Sequence, residues 1–311
     1  MERHGKTAAG TERYRCPKCR KTTVIHRTDT RKRHLRDHFV DWLTGTDSKQ
    51  KIAEKLGVSR QALSKEFQQF FGVGLEPPIP TELTARILIV DGTYIEGRAL
   101  CALVAVTERD RIFWRFATEE RYGTWLAFLE SFPPPKVVVA DGQKGMQRFV
   151  KHHWPQTAFQ RCHFHLVMLV THYLTRNPSE EVGRDILDLV HRLKYVKAPA
   201  ERDRWLLLHR IWEKRYEKVF AERTAGGVYA HRKLRSVRSV LRRATPQLFT
   251  YLDYPGCPNT TNLVEGWVNT AIAEGIGRHR GLTLEKKKTL VSVILSNLKR
   301  PTREKPTRKF P

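Results

Sequence analysis

The chain has 311 residues, enough for one large domain and one or two small ones. Its 57 Lys and Arg against 32 Asp and Glu leave a formal net charge of +25, which excludes an ordinary metabolic enzyme and fits a polyanionic partner, nucleic acid before an acidic membrane surface. Cys16, Cys19, Cys101, Cys162 and Cys257 form no regular disulfide framework, and the chain shows no apolar leader or membrane-length apolar run, so a cytoplasmic, nucleoid-associated protein without a membrane partner is expected.

Residues 1–46 read as a basic, zinc-finger-like or ribbon-like module. Cys16 and Cys19 are followed by His34 and His38, with fourteen residues between Cys19 and His34 and three between the histidines. That spacing satisfies a Cys2His2 zinc site, with His26 as a substitute ligand; the alternative is half of a zinc ribbon, with a helix over 31–44 serving the next module. Residues 47–80 read as a helix-turn-helix and linker. Ile52, Ala53 and Leu56 share one face, Gly57 makes the turn and Ser59 caps the second helix. Arg60, Gln61 and Lys65 project from that helix, where side chains contact base edges or phosphates. The competing reading is a hairpin used only for packing. Leu35, Phe39, Trp42 and Leu43 on the preceding helix form a packing stripe, and the Gly and Pro residues of 72–85 mark the linker.

Residues 81–175 change to strands. The runs 86–90, 98–107 and 111–118, a helix over 122–132, a strand at 136–140, a helix near 143–153, a strand near 157–161 and a helix from 163 give β-β-β-α-β-α-β-α, an α/β domain with a mixed sheet. Residues 176–255 are almost purely helical by period; Trp205 and Trp212, seven apart, are expected in its core. A loop leads into a last helical region, 262–298, within a segment 256–300, and 301–311 is a basic tail.

Asp91 and Asp141 each follow a short apolar strand and precede Gly. A carboxylate at the C-terminal end of such a strand points into the crevice where ligands of open α/β sheets bind. If the first and fourth strands are neighbours, the two acids meet, and either one proton affinity rises or a divalent cation with hard oxygen ligands sits between them. Glu265, in the Lys- and Arg-free stretch 259–269, is the third candidate: a helix with Val268, Asn269 and Ile272 on its inward face would bring it to the pair. Three carboxylates hold two Mg2+ (or Mn2+) ions, one for the attacking and one for the leaving oxygen of a phosphodiester. The bland reading of each Asp-Gly is an ordinary turn. Glu96 and Asp253 rank below these three.

Taken in order, the two Asp-Gly motifs, the C-x-x-H of Cys162 and His165, the stretch 260–269 around Glu265 and the His279-Arg280-Gly281 turn resemble the Mutator-type DDE transposases of bacterial insertion sequences, over about residues 86–298. The resemblance implies a ribonuclease H-like mixed-sheet core interrupted by an all-helical insertion, with Asp91, Asp141 and Glu265 as the catalytic metal ligands. It places Cys162 and His165 near the active site, Asn262 and Asn269 around the Glu, and His279 and Arg280 on a basic turn that contacts DNA. For Cys162 and His165 the competing reading is a packed Cys and a structural His; for His279 and Arg280 it is a solvated basic face. The expected activity is metal-dependent hydrolysis at transposon ends followed by strand transfer, with the element's terminal inverted repeats and target DNA as partners and a homo-oligomer holding two ends. The alternatives are a zinc-finger or helix-turn-helix regulator without catalysis, a nuclease with the same metal chemistry, and an inactive copy.

Overall fold

The computed structural model of the chain describes residues 1–8, 10–24, 27–80 and 83–300, residues 27–31 by backbone alone. The chain divides into two compact units. One comprises Met1–Leu75 and Ile272–Asn297, and the other Glu76–Ala271 with residues that follow Asn297.

The first unit opens with β1 (Glu2–Lys6), β2 (Glu12–Arg15) and β3 (Thr22–Val24), an antiparallel sheet in that order. Cys16 and Cys19 sit in the β2–β3 turn, closed by hydrogen bonds from Arg20 N to Cys16 O and from Cys16 N to Lys21 O, both 2.9 Å. Then come α1 (Arg27–Thr44), α2 (Lys49–Lys55) and α3 (Arg60–Phe67). Ser48 Oγ accepts from Lys51 N at 3.2 Å and Ser59 Oγ from Ala62 N at 3.1 Å, so each short helix has one of its orphan N–H groups satisfied. Phe39 and Trp42 of α1 pack on Phe67, with Phe39 also meeting Phe70 and Phe71. This aromatic cluster, with Leu43, Ile52 and Leu63, supplies the apolar burial that helices this short need, since a seven- or eight-residue helix is not stable on its own.

The second unit is built on five strands: β4 (Ile87–Ile95), β5 (Leu100–Thr107), β6 (Ile112–Ala117), β7 (Val137–Ala140) and β8 (Ala158–Arg161). Their order across the sheet is β6-β5-β4-β7-β8; β4, β5 and β6 pair antiparallel, while β4, β7 and β8 are parallel. One face carries Leu88, Val90, Leu103, Phe113 and Val138 and is covered by Trp125, Phe128, Met146 and Phe149 of α4 (Tyr122–Leu129) and α5 (Lys144–His153). The near-continuous apolar run of β5, buried along its length, fits a strand covered on both faces.

After α6 (His163–Leu174) the chain forms a helical segment with its own core: α7 (Glu181–His191), α8 (Pro199–Arg215), α9 (Glu217–Ala221) and α10 (Arg232–Ala244). Trp205 and Trp212 lie in this core as expected, their indole N–H groups donating to Leu189 O at 2.8 Å and Val182 O at 3.0 Å. Residues 264–269 then form a π-helical turn against β4. The chain continues into α11 (Thr270–Arg278); from Ile272 it is again part of the first unit, where α12 (Leu284–Asn297) buries Leu290, Val291 and Ile294. There Thr289 Oγ1 accepts from Gly72 N at 2.9 Å and Ser292 Oγ donates to Leu75 O at 2.5 Å. Among the described residues no helix is long and apolar enough to cross a membrane.

Two local expectations need correction. The first strand, read over 86–90, is longer: β4 runs on to Ile95 because β5 pairs with it from Ile95 back to Leu88. Glu265 lies on a π-helical turn rather than on a regular α-helix. Such turns need tertiary support that a hydrophobic period does not report.

Candidate active site

Strand register sets the geometry. Ile89 stands opposite Val139 in the parallel β4–β7 pair, so two residues further on Asp91 is level with Asp141. Ala140 stands opposite Arg161 in β7–β8, which puts Asp141 level with Cys162. Three chemically active residues therefore line one end of three adjacent parallel strands. β7 ends at Ala140 while β4 continues to Ile95, so beyond Ile89 β4 pairs only with β5 among the described residues.

Asp91 is 8% exposed. Its carboxyl is raised to about 7, by burial first; Glu265 and Asp141 push in the same direction and His165 opposes them. Asp141 is also raised, by burial, against hydrogen bonding from Gln143, whose N–H donates to Oδ1 at 2.8 Å. Asn269, four residues after Glu265 on the π-turn, donates from Nδ2 to Asp91 Oδ2 at 3.4 Å, and its amide oxygen accepts from Thr93 Oγ1.

Glu265 Oε1 accepts from Thr261 Oγ1 at 2.6 Å and lies 3.7 Å from His165 Nδ1. Burial lowers the proton affinity of His165, but hydrogen bonding to Cys162 and the proximity of Cys162, Asp91 and Glu265 outweigh it and raise the imidazole to about 9, so it stands as a cation among the acids. Cys162 is fully buried. Cys162, His165 and Glu265 place one ligand atom each within 4.8 Å of one another.

Glu120 was not singled out from the sequence. It lies in the loop between β6 and α4, and burial, then Asp141 and Asp91, raise its carboxyl to about 7. Gln143 Nε2 donates to its Oε2 at 3.2 Å, so one glutamine touches both Asp141 and Glu120. A Cβ on Gly92 would collide with the Glu120 carboxylate. Gly142 has φ +83°, and a Cβ there would strike the Arg161 guanidinium. The glycine after each Asp thus admits a second charged group, Glu120 over one and Arg161 over the other. Arg161 is buried, and that burial lowers its proton affinity while Asp141 supports its charge.

The remaining candidates lie elsewhere. Arg60, Gln61 and Lys65 are exposed on α3. His279 packs edge-on against Trp42 at 4.9 Å, with Nε2 3.1 Å from Leu43 O, and burial lowers its proton affinity. Arg280 is exposed and its Nε donates to Gly277 O at 3.2 Å. Asn262 is exposed. In the β2–β3 turn the backbone N–H groups of Cys19 and Lys18 lower the Cys16 thiol below its usual range. His34 is exposed and His38 half-buried on α1; among the described residues these two and the cysteines form no group of three close ligand atoms. His26 lies outside the described residues.

Residues 87–169 match the model of the MULE transposase domain, about a quarter of the chain. The segment holds Asp91, Glu120, Asp141, Cys162 and His165 and is similar to Mutator-like transposases; Glu265 and Asn269 lie beyond it. No curated protein matches the chain.

Proposed function

From the domain match over 87–169 and the carboxylates at the end of the sheet, we propose that the protein is a DDE-type DNA transposase that hydrolyses phosphodiesters at its element's ends and transfers the strand into target DNA. The observation that carries this reading is the level, buried placement of Asp91 and Asp141 on adjacent parallel strands, with Glu265 charge-coupled to Asp91. The strand order and the helical segment before Glu265 are compatible with a ribonuclease H-like core carrying an insertion.

The donor set fits Mg2+ or Mn2+. Asp91, Asp141 and Glu265 offer hard carboxylate oxygens; burial raises the first two, and at Asp91 the charges of Glu265 and Asp141 add to it, so a divalent cation relieves both the burial cost and that repulsion. When bound, the metal supplies charge neutralisation at the phosphate and an activated water. The chain's own residues do the rest. Asn269 orients Asp91, the Gln143 N–H orients Asp141, and His165 and Arg161 add positive charge where the phosphate backbone would lie.

DNA is the proposed partner, in two roles: the element's terminal inverted repeats and the target. Exposed Arg60, Gln61 and Lys65 on α3 offer base and phosphate contacts, and Arg280 a further phosphate contact. Lys32, Arg33 and Arg36 line a groove of about 470 Å³ with Ser296 and Asn297, a second basic surface in the same unit. Two ends must be held together, so a homo-oligomer acting on the nucleoid in the cytoplasm is proposed. Zn2+ at Cys16 and Cys19 is part of the proposal: the lowered Cys16 thiol suits a thiolate ligand, although His34 and His38, proposed as the other half, do not group with the cysteines among the described residues.

The test is cleavage of a DNA fragment carrying the gene's flanking ends, by wild type and by Glu265→Gln, with Mg2+ and with EDTA. Metal-dependent nicking lost in Glu265→Gln, with DNA binding retained, supports the reading. Binding without nicking in either protein favours the regulator, for which Asp91, Asp141 and Glu265 are dispensable.

A further inference from the structure

Cys162, His165 and Glu265 have a spacing that a metal ion can bridge. The centre of that group is not open. The Thr261 hydroxyl stands 2.6 Å from Glu265 Oε1, 3.3 Å from Cys162 Sγ and 3.4 Å from His165 Nδ1. A hydroxyl has one proton and two lone pairs. The short contact to a carboxylate takes the proton, which leaves the lone pairs toward Cys162 and His165.

Thr261 is fully buried, and its position comes from two elements. Its backbone N–H donates to Cys162 Sγ at 3.2 Å, and two residues earlier Asn259 O accepts from His163 N at 2.9 Å, so the loop is pinned to the start of α6. On the other side, Thr261 O accepts from Val264 N at 2.7 Å and from Glu265 N at 3.1 Å, which starts the π-turn. Thr261 therefore joins the end of β8 to the turn that carries Glu265.

We propose that Thr261 is a positioning residue: its hydroxyl, seated against Cys162 and His165, fixes Oε1 of Glu265 so that the other carboxylate oxygen is the one offered as a metal ligand. The inference rests on the transposase reading of Glu265 and assigns the C-x-x-H pair a supporting role, in place of a metal site of its own. Partners that orient a ligand typically change metal affinity 10- to 100-fold when removed.

Binding of Mn2+ to the metal-free protein, followed by calorimetry, is measured beside thermal unfolding and DNA cleavage for Thr261→Val and Thr261→Ser. For Zn2+ titrations alone, the background carries Cys16→Ser and Cys19→Ser, so that no other thiol pair takes up zinc. The Val variant is expected to bind Mn2+ about 10- to 100-fold more weakly. It should require correspondingly more Mg2+ for half-maximal cleavage and bind DNA as wild type does. The Ser variant, which keeps the hydroxyl, should return to near the wild-type value. If Val unfolds the chain, Thr261→Ala against Thr261→Ser gives the same comparison, differing by the hydroxyl alone. Wild-type Mn2+ binding with no difference between hydroxyl-bearing and hydroxyl-free variants overturns the inference and leaves the functional reading standing. Absence of Mn2+ binding in the wild type overturns both. Tight Zn2+ binding that is lost in Cys162→Ser and kept in Thr261→Val also overturns the inference, because an ion would then hold the place given to the hydroxyl.

Discussion

At Asp91 the folded chain holds a proton more tightly than the unfolded chain does, because its carboxyl is raised from 3.8 to about 7. Between those values the folded state binds the extra proton. Stability of the metal-free protein is therefore lost as pH rises from about 4 to 7 and stays low above that. Asp91→Asn removes the buried charge and is expected to stabilise the metal-free protein at pH 8, by about 1–3 kcal/mol, an upper range because Asp141 and Glu265 share the repulsion. Urea unfolding in EDTA measures this; Mg2+ should then raise the melting temperature of the wild type and leave that of Asp91→Asn unchanged. Gly92→Ala is expected to drive the Glu120 carboxylate from its place, with a cost of about 1–3 kcal/mol in stability and a loss of cleavage. Wild-type cleavage by Gly92→Ala would remove Glu120 from any role in the site. Both Asp-Gly motifs were readable as candidates from an apolar run ending in an acid. Glu120 was not, because the only local signal is a pair of acids after β6, and the approach to Gly92 is set by how the loop returns over β4.

Among elements, the helical segment between α6 and the π-turn carries an acid-sensitive feature. His209 is stacked between Trp205 and Trp212 at ring distances of 5.5 and 5.9 Å, and its Nε2 is buried without a partner. Burial lowers its proton affinity. His163, at the start of α6, is lowered to about 4 by burial, although Leu248 O lies 2.7 Å from its Nε2. Each histidine is neutral in the fold and charges on unfolding, so its contribution is full above about 6.5 and is lost as pH falls toward the folded value. For His163 that loss is on the order of 3 kcal/mol by pH 4. Tryptophan-monitored unfolding should show the segment weakening between pH 6.5 and 5, and His209→Phe, which keeps the stack, should weaken less. The site carboxylates have the opposite sign in this range, so the segment should loosen before the sheet does. Helical period marked this segment and its Trp pair in the sequence. The π-turn was not legible there, because its wider winding depends on what it packs against, namely β4.

For the whole molecule, the charge of +25 sets the expected behaviour on DNA. Affinity should fall steeply with salt, with a slope of about 0.9 per phosphate contact, and Arg60→Ala with Lys65→Ala should lower the slope by up to about 2. An unchanged slope in the double variant would place the DNA contacts on another surface. Composition, strand and helix periods, the Asp-Gly pairs and the helix cap at Ser59 are local properties of the chain, and they determined the mixed α/β character, most element positions and the candidate carboxylates. Contacts between residues far apart in sequence were decided only in three dimensions. Register puts Asp91 level with Asp141, Thr261 meets Cys162 ninety-nine positions away, and Ile272–Asn297 joins Met1–Leu75 in one unit. The reason is physical: period and capping depend on neighbours within a turn or two, whereas these meetings depend on burying surfaces whose partners the local pattern does not name.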